Sequence, residues 1–309
     1  MRSRLSLFLI LLIIVLTGCK GTPTQSQTAL PAAPSSTGAP SSPAASHTPE
    51  AATAVPSTPT PTPLPPALKV NGESVSLAEY QASLQQLAEA DPQGDPAAHK
   101  KQVLDALADE TLLAQAAFKD GFSLDEPALD QRIAGLAQKA GGDATLSDWQ
   151  KRMGYSPESF RSAIRRAAAA AWQRDKIAAS VPEKVEQVHA RQIRVNTQAA
   201  ADQVESQAKQ AGTDFATLAF GYDLAAGGDL SWFPRGYLNE KSVEDAAFAL
   251  QPGEISPVIQ SSLGYHVIQV IAREVRPLTP DARAVLQRKA LADWLTNNRS
   301  QSQIEDLVP

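Results

Sequence analysis

The chain has 309 residues, a formal net charge of −5 and a single cysteine, Cys19. Removing residues 1–18, which hold two arginines, moves that charge to −7, and so acidic a chain is poorly suited to binding nucleic acid through phosphate contacts. One cysteine excludes an internal disulfide framework and a cysteine-based zinc site, and the four histidines are too scattered in sequence to form a metal-binding tract.

The N-terminus has the features of an export signal. Two arginines precede an apolar run, residues 5–16, which is too short to span a bilayer comfortably. The run ends in Leu16-Thr17-Gly18-Cys19, which resembles the lipobox of bacterial lipoproteins. The resemblance implies a signal peptide at residues 1–18 and a lipidated Cys19 that anchors the protein to the membrane outside the cytoplasm. A secretory signal that happens to end in a cysteine is the alternative.

Residues 19–66 are rich in Pro, Ser, Thr and Ala. Of the 23 prolines in the chain, 12 fall between Lys20 and Pro66, where the only charged residues are Lys20 and Glu50. Such a segment buries too little apolar surface to offset its chain entropy, so we predict a disordered tether. At ~3.1 Å per residue, its upper reach is on the order of 140 Å.

The sequence pattern of residues 67–182 predicts an all-α module. Asn71-Gly72 between short apolar stretches is typical of a type I′ hairpin turn, and Ser76 with Glu79 predicts a capping box before the first helix. Apolar residues at helical spacing predict four more helices. The residues that delimit them are Gly121, Gly141-Gly142, Gly154 and Ser156-Pro157. We interpret the apolar stripes as ordinary core rather than as a binding site.

This order of elements resembles the N-terminal region of SurA-like and PrsA-like chaperones. In that family a helical module precedes an isomerase domain, and a C-terminal helix packs back onto the module. Apolar residues at helical spacing between Pro280 and Asn297 are sufficient for such a helix, so residues 277–309 are assigned to the module. The segments that carry the resemblance are 70–72, 118–122 and 154–161.

From residue 183 to 276 the periodicity changes to that of a small α/β domain. The pattern predicts the order β-α-α-β-α-β-β, which fits one compact unit. The predicted strands are 188–195, 230–233, 257–259 and 265–272. The predicted helices are 198–211, 215–220 and 243–250.

Six segments of this region resemble, in the same order, the parvulin or PpiC-type peptidyl-prolyl isomerases. The six are residues 188–195, 214–219, 227–233, 246–250, 253–258 and 264–268. The implied fold class is an α+β multidomain protein, with a parvulin-like α/β domain inserted between two parts of an all-α chaperone module. The implied activity is cis–trans isomerisation of X-Pro bonds, which requires no nucleophile, metal or cofactor.

The resemblance also assigns site residues. The cup that holds proline corresponds to Leu230, Leu238 and Val243, with Phe248 as additional lining. His266 falls on the second active-site histidine of the family, and Ser261 falls on the hydroxyl position shortly before it. Taken alone, each apolar residue is equally a core residue, and a lone histidine on a strand is more often structural.

Two positions depart from the parvulin pattern. Gln192 stands where the family has its first histidine, and glutamine can hydrogen-bond His266 but cannot titrate. His189 cannot replace it, because an offset of three residues lies on the opposite face of a strand. The loop at 219–228 is shorter than in the bacterial pattern. Asp223 is the only acid left in it, and it is equally a candidate catalytic residue and a turn residue.

Two functions therefore stay open. The first is a membrane-anchored, extracytoplasmic foldase that accelerates X-Pro isomerisation, which otherwise takes tens of seconds or more. The second is a catalytically weak or inactive holdase. Both imply unfolded or nascent exported polypeptides as partners, with no nucleic acid, metal or cofactor. A structural envelope lipoprotein would not explain the ordered parvulin segments.

Overall fold

The computed structural model describes residues 65–308. The predicted signal peptide, the predicted lipidation site Cys19 and residues 19–64 of the predicted tether lie outside the described residues. Within 65–308, no helix combines the length and the hydropathy needed to cross a bilayer.

Five helices occupy the first half of this region, where the sequence predicts them. The side chains of Ser76, Asp95, Asp125 and Ser156 cap helix N-termini by accepting backbone N–H groups. Gly141 adopts the left-handed conformation at a helix C-terminus. The helices are α1 (Leu77–Ala90), α2 (Pro96–Lys119), α3 (Glu126–Ala140), α4 (Asp143–Met153) and α5 (Pro157–Ala179).

The predicted hairpin is present, but the predicted capping box is only half formed. Asn71 and Gly72 have φ values of 51° and 85°, as a type I′ turn requires, and they join β1 (Pro66–Val70) to β2 (Glu73–Ser76). Ser76 Oγ accepts the N–H of Glu79 at 3.3 Å. The Glu79 carboxylate does not return to the cap, because it accepts a hydrogen bond from a buried arginine of α5.

The helical module also contains a small sheet, which corrects the prediction that it is all-α. A last strand, β7 (Ile304–Asp306), pairs antiparallel with β1, so the sheet order is β2-β1-β7. Because β7 has only three residues, its sequence gives no alternation from which a strand could be predicted.

The last helix, α9 (Pro280–Ser300), returns to the module. Leu291, Trp294 and Leu295 pack against a cluster of buried residues from α2 and α5. Arg299 adds two charged contacts to α2, Nε–Oδ1 of Asp109 at 2.5 Å and Nη1–Oδ1 of Asp105 at 3.0 Å. The chain therefore leaves the module after α5 and re-enters it with α9.

The inserted α/β domain is a four-stranded antiparallel sheet with helices on both faces. The strand order is β4-β3-β6-β5. One face is covered by α6 and α7 and the other by α8. The strands are β3 (Lys184–Val195), β4 (Asp229–Pro234), β5 (Ile259–Ser261) and β6 (Gly264–Pro277). The helices are α6 (Gln198–Ala208), α7 (Phe215–Tyr222) and α8 (Lys241–Ala249).

The predicted order of elements in this domain is confirmed, and the differences lie at the ends. Strands β3 and β6 extend beyond the predicted bounds and pair as far as Lys184 and Pro277, with one register shift between His189 and Ala190. The two connections to the helical module thus run side by side as one ribbon. Gln187 strengthens it, because its side-chain amide donates to the carbonyl oxygens of Arg276 and Pro277.

A buried charge cluster joins the hairpin, α1, α2 and α5. The guanidinium of Arg166 on α5 is hydrogen-bonded to Glu79 and lies 3.7 Å from carboxylate oxygens of both Glu73 and Glu110. Burial raises the pKa of Glu110 to about 7, and the charge of Glu79 adds to this effect while Arg166 opposes it. The Glu110 side chain keeps 23% of its surface exposed, so solvent moderates the effect of burial.

The raised pKa of Glu110 predicts a pH-dependent stability. Between about pH 4.5 and 7 the folded chain holds a proton on Glu110 that the unfolded chain releases, so the free energy of unfolding should fall as pH rises through this window. Glu110→Gln should flatten this slope and stabilise the protein at pH 8, by on the order of 1–3 kcal/mol. Urea denaturation at several pH values measures both effects.

The matched control is Glu89→Gln, which changes an exposed glutamate of α1 that is hydrogen-bonded to Gln85. This variant should keep the wild-type slope. An unchanged slope in Glu110→Gln would show that Glu110 does not carry the effect.

Candidate functional site

A cavity of about 510 Å³ lies in the α/β domain, within the size range of small-ligand pockets. Strand β3, the turn before β4, the segment leading into α8 and the start of β6 surround it. Six of the eight residues assigned from sequence to the active site and the proline cup line it directly. They are Gln192, Asp223, Leu230, Leu238, Val243 and His266.

The strand register brings Gln192 and His266 together. Arg194 pairs with His266 and Gln192 pairs with Ile268, so the two side chains are diagonal neighbours on one face of the sheet. His266 Nδ1 lies 2.9 Å from Gln192 Oε1. This distance is that of a hydrogen bond between Gln192 and the histidine, which the sequence allowed.

Ser261 holds the other side of the imidazole. Its Oγ lies 2.7 Å from His266 Nε2 and accepts the N–H of Leu263 at 3.0 Å. With a carbonyl oxygen facing Nδ1, the consistent assignment is that Nδ1–H donates to Gln192 while the Ser261 hydroxyl donates to Nε2. The ring is therefore fixed from both sides in its neutral form.

The electrostatic surroundings also favour a neutral His266. The residue is only 2% exposed. Burial, followed by the positive charge of Arg194, lowers the pKa of His266 from its usual 6.5, while Glu240 acts in the opposite direction. Glu240 is itself held by the backbone N–H and the hydroxyl of Ser262. At neutral pH the imidazole therefore carries no charge.

The apolar wall of the cavity comes from three separate elements. Leu230 lies on β4, Leu238 precedes α8 and Val243 lies in its first turn. Val243 is buried, whereas Leu230 and Leu238 are partly exposed and pack on the core cluster beneath α8. The cavity thus offers an apolar surface beside a fixed imidazole, an arrangement suited to holding a small aliphatic ring.

The position of Leu238 depends on Glu244, which the sequence did not single out. The buried carboxylate of Glu244 accepts the backbone N–H groups of Gly236, Tyr237 and Leu238 at 2.8, 3.0 and 3.1 Å. A buried acid satisfied by three N–H groups stabilises the loop strongly. The available signal was an acidic residue one position after Val243 at the start of a helix.

Phe248 does not line the cavity, which corrects its assignment to the cup. It lies five positions after Val243, or about 140° further round α8. Its ring packs edge-on against Phe233 at 6.0 Å, and the guanidinium of Arg235 lies 4.3 Å from the ring centroid. Phe248 is therefore a core residue.

Asp223 lines the cavity but its carboxylate is engaged by its own turn. Its oxygens accept the backbone N–H groups of Ala225, Ala226 and Gly228, each at 3.1 Å. These hydrogen bonds lower the pKa of Asp223, and the bond from Ala226 has the largest effect. Of the two interpretations open from sequence, the geometry supports the turn residue.

His189 lies apart from the cavity. Its Nε2 is 2.8 Å from Asp229 Oδ1, and its ring lies beside Trp232 at 5.4 Å between centroids. It therefore has its own partners outside the cavity lining. Among residues 65–308, no three His, Cys, Asp or Glu side chains group closely enough to hold a metal ion.

Gly228 connects the short loop to Gln192. The Gln192 N–H donates to the Gly228 carbonyl at 2.8 Å, and Gly228 has a φ of +69°. A Cβ at this position would lie 1.9 Å from the Gln192 carbonyl oxygen. Only glycine combines this backbone conformation with so close an approach.

Two family models match this chain. Residues 170–284 match the PPIC-type PPIASE domain and residues 53–174 match the SurA-like N-terminal domain. The resemblance indicated by the ordered segments is thereby confirmed for both the α/β domain and the helical module.

Curated relatives carry two names. Chaperone SurA of Bordetella avium (strain 197N) is 31% identical over 151 residues, which cover 42% of this chain and 30% of that protein. Foldase protein PrsA of Caldanaerobacter subterraneus subsp. tengcongensis is 27% identical over 241 residues, which cover 67% of this chain and 74% of that protein. The chain spans about a third to a half of the length of the first curated relatives it matches.

Solved structures similar to this chain include PrsA from Bacillus cereus. It is 21% identical, with a TM-score of 0.42, and the match covers 74% of this chain and 84% of that one.

The contact at Gly228 predicts a sharp difference between two glycines. Gly228→Ala should lower the free energy of unfolding by about 2 kcal/mol or more, since both the positive φ and the clash with Gln192 oppose it. Gly221→Ala, in helix α7 with no atom near the new Cβ, should be neutral or stabilising by up to about 1 kcal/mol. Chemical denaturation of both variants compares them. Equal stabilities would contradict the close approach of the loop to β3.

Proposed function

We propose that this chain, which combines PpiC-type and SurA-like domains, is an extracytoplasmic foldase that catalyses cis–trans isomerisation of X-Pro bonds in exported polypeptides. The α/β domain, residues 183–276, would carry the activity. The helical module, residues 67–182 with 277–309, would bind the unfolded client. The observation that carries the proposal is an open cavity in which an apolar wall faces a fixed, neutral imidazole.

The proposed reaction sets few chemical demands, and an apolar wall beside polar side chains suits them. Rotation about a peptide bond faces a barrier of ~18–20 kcal/mol because the C–N bond has partial double-bond character. Holding proline in an apolar cup and removing water from the adjacent carbonyl oxygen makes that rotation easier. In this proposal Leu230, Leu238 and Val243 hold the ring.

The polar side chains would stand beside the twisting amide. His266 and Ser261 fix each other, and the Oε1 of Gln192 is taken by His266. The side-chain NH₂ of Gln192 has no hydrogen-bond partner among the described residues, so it is a donor available to a substrate carbonyl. Asp223 would hold the loop at the cavity edge and take no part in the chemistry.

Location outside the cytoplasm and anchoring through Cys19 are part of the proposal. Their support is the charged, apolar and lipobox-like sequence of residues 1–19. The names foldase and chaperone of the relatives agree with a role in protein folding.

The proposed function predicts isomerase activity. Residues 65–309 should accelerate cis–trans exchange of an X-Pro peptide, measured by NMR exchange spectroscopy.

The proposed proline cup predicts which leucine matters for catalysis. Leu238→Ala should reduce kcat/KM roughly tenfold, since a lost apolar contact in a substrate pocket is worth about 1–3 kcal/mol. Leu307→Ala makes the same chemical change at a side chain of the helical module that is 45% exposed, and it should leave the rate unchanged. Equal rates for the two variants would contradict the cup.

The glutamine at the family's histidine position predicts a gain of activity. Gln192→His would place a second ring opposite His266 Nδ1, and we expect it to raise the exchange rate severalfold. Gln198→His, on an exposed position of α6, is the control and should have no effect. An unchanged rate in Gln192→His would indicate that the short loop, rather than this side chain, limits turnover.

A holdase remains the second candidate, because Gln192 cannot titrate and the Asp223 carboxylate is occupied by backbone N–H groups. Suppression of aggregation of an unfolded protein, without acceleration of X-Pro exchange at high protein concentration, would establish this function instead.

A further inference from the structure

One short loop touches both the candidate site and the helical module. Residues 236–238, here called the cup loop, connect β4 to the segment before α8. On one side the loop presents Leu238 to the cavity. On its other side it contacts α9, the helix that packs on α2 and α5.

The cavity side of the cup loop is fixed from within the α/β domain. All three of its backbone N–H groups donate to the carboxylate of Glu244. These bonds hold the loop backbone to the first turn of α8, but they do not fix the outer side chain, Tyr237.

The outer side of the cup loop is fixed by α9. The hydroxyl of Tyr237 donates to Asp281 Oδ2 at 2.8 Å, and this hydrogen bond to a carboxylate raises the pKa of Tyr237. Gly236 lies directly against the same helix. A Cβ at Gly236 would be 3.0 Å from Lys289 Cδ and 3.3 Å from Leu286 Cδ2.

The helix that receives the cup loop is itself fixed to the module. Its N-terminus follows the ribbon formed by β3 and β6, and Leu278 N–H donates to the Glu183 carbonyl at 3.0 Å. The side chain of Gln287, between the two contacts to the loop, donates to the Ala178 carbonyl at the end of α5. Movement of α9 relative to the α/β domain would therefore act on the cup loop through these contacts.

We propose that Tyr237 and Asp281 are positioning residues: the last helix of the helical module sets the position of the cup loop and thereby of Leu238. The inference rests on the proposed function in that Leu238 is taken as a wall of the proline cup. Under this proposal, both the α/β domain and the helical module contribute residues that shape the isomerase-type site. A client that displaced α9 would change the affinity of the site for proline without itself contacting the site.

The test uses the whole chain in detergent and three substitutions at the contact. Tyr237→Phe removes only the hydroxyl, Asp281→Ala removes the acceptor, and Asp281→Asn keeps an oxygen that can accept the same bond. Tyr265→Phe and Asp202→Ala make the same chemical changes in the α/β domain, away from the loop, and serve as controls. Two readouts are needed: amide hydrogen exchange of residues 236–238, and binding of the peptide Ala-Ala-Pro-Phe followed by NMR titration.

We expect Tyr237→Phe and Asp281→Ala each to speed amide exchange in the cup loop and to weaken peptide binding two- to tenfold. Asp281→Asn should stay close to wild type, and the double variant Tyr237→Phe/Asp281→Ala should be no worse than either single change. Unchanged exchange and affinity in the two single variants would overturn the proposal. Equal losses in Asp281→Asn and Asp281→Ala, or additive losses in the double variant, would also overturn it.

The two readouts separate this proposal from the function on which it rests. If the wild-type chain neither binds the peptide nor accelerates its isomerisation, the proposed isomerase function fails. Amide exchange of the cup loop needs no peptide, and its response to the substitutions decides the positioning role alone.

Discussion

The pairing of β3 with β6 is the constraint on which the candidate site depends. Its register places Gln192 and His266 on the face of the sheet that carries α8, and a slip of one residue would turn the imidazole to the face covered by α6 and α7. The same ladder runs on to Lys184 and Pro277, where the chain enters and leaves the domain. The backbone hydrogen bonds between β3 and β6 thus position the site residues and also connect the α/β domain to the helical module.

A neutral imidazole is consistent with the proposed reaction, in which no proton or group is transferred. His266 is buried, has a lowered pKa and is hydrogen-bonded on both ring nitrogens. A titrating histidine in place of Gln192 would add a second ionisable group to a buried site, at a cost in desolvation. Glutamine supplies the acceptor that fixes the ring without that cost, so the orientation of His266 does not require the missing histidine.

The sequence predicted those features that depend on local signals. Helix caps such as Ser156, glycines after helices and the Asn71-Gly72 turn act within a few residues, and they placed the elements correctly. Features that depend on long-range packing were not predictable in this way. Glu244, the Arg166 cluster and β7 acquire their roles only from partners brought together by the fold. Phe248 was misassigned because likeness to a family position does not specify which way a side chain of α8 faces.

The two departures from the parvulin pattern meet at a single contact. The short loop is closed by Asp223, whose carboxylate accepts the Gly228 N–H, and the Gly228 carbonyl in turn accepts the N–H of Gln192. There is no space for a Cβ between these two backbones. The loop therefore constrains the backbone of residue 192, while its side chain points to His266. The backbone of Gln192 is held by Gly228 of the short loop, and its side chain is held by His266. The shortened loop and the glutamine therefore affect the site through the same residue, but by two separate hydrogen bonds.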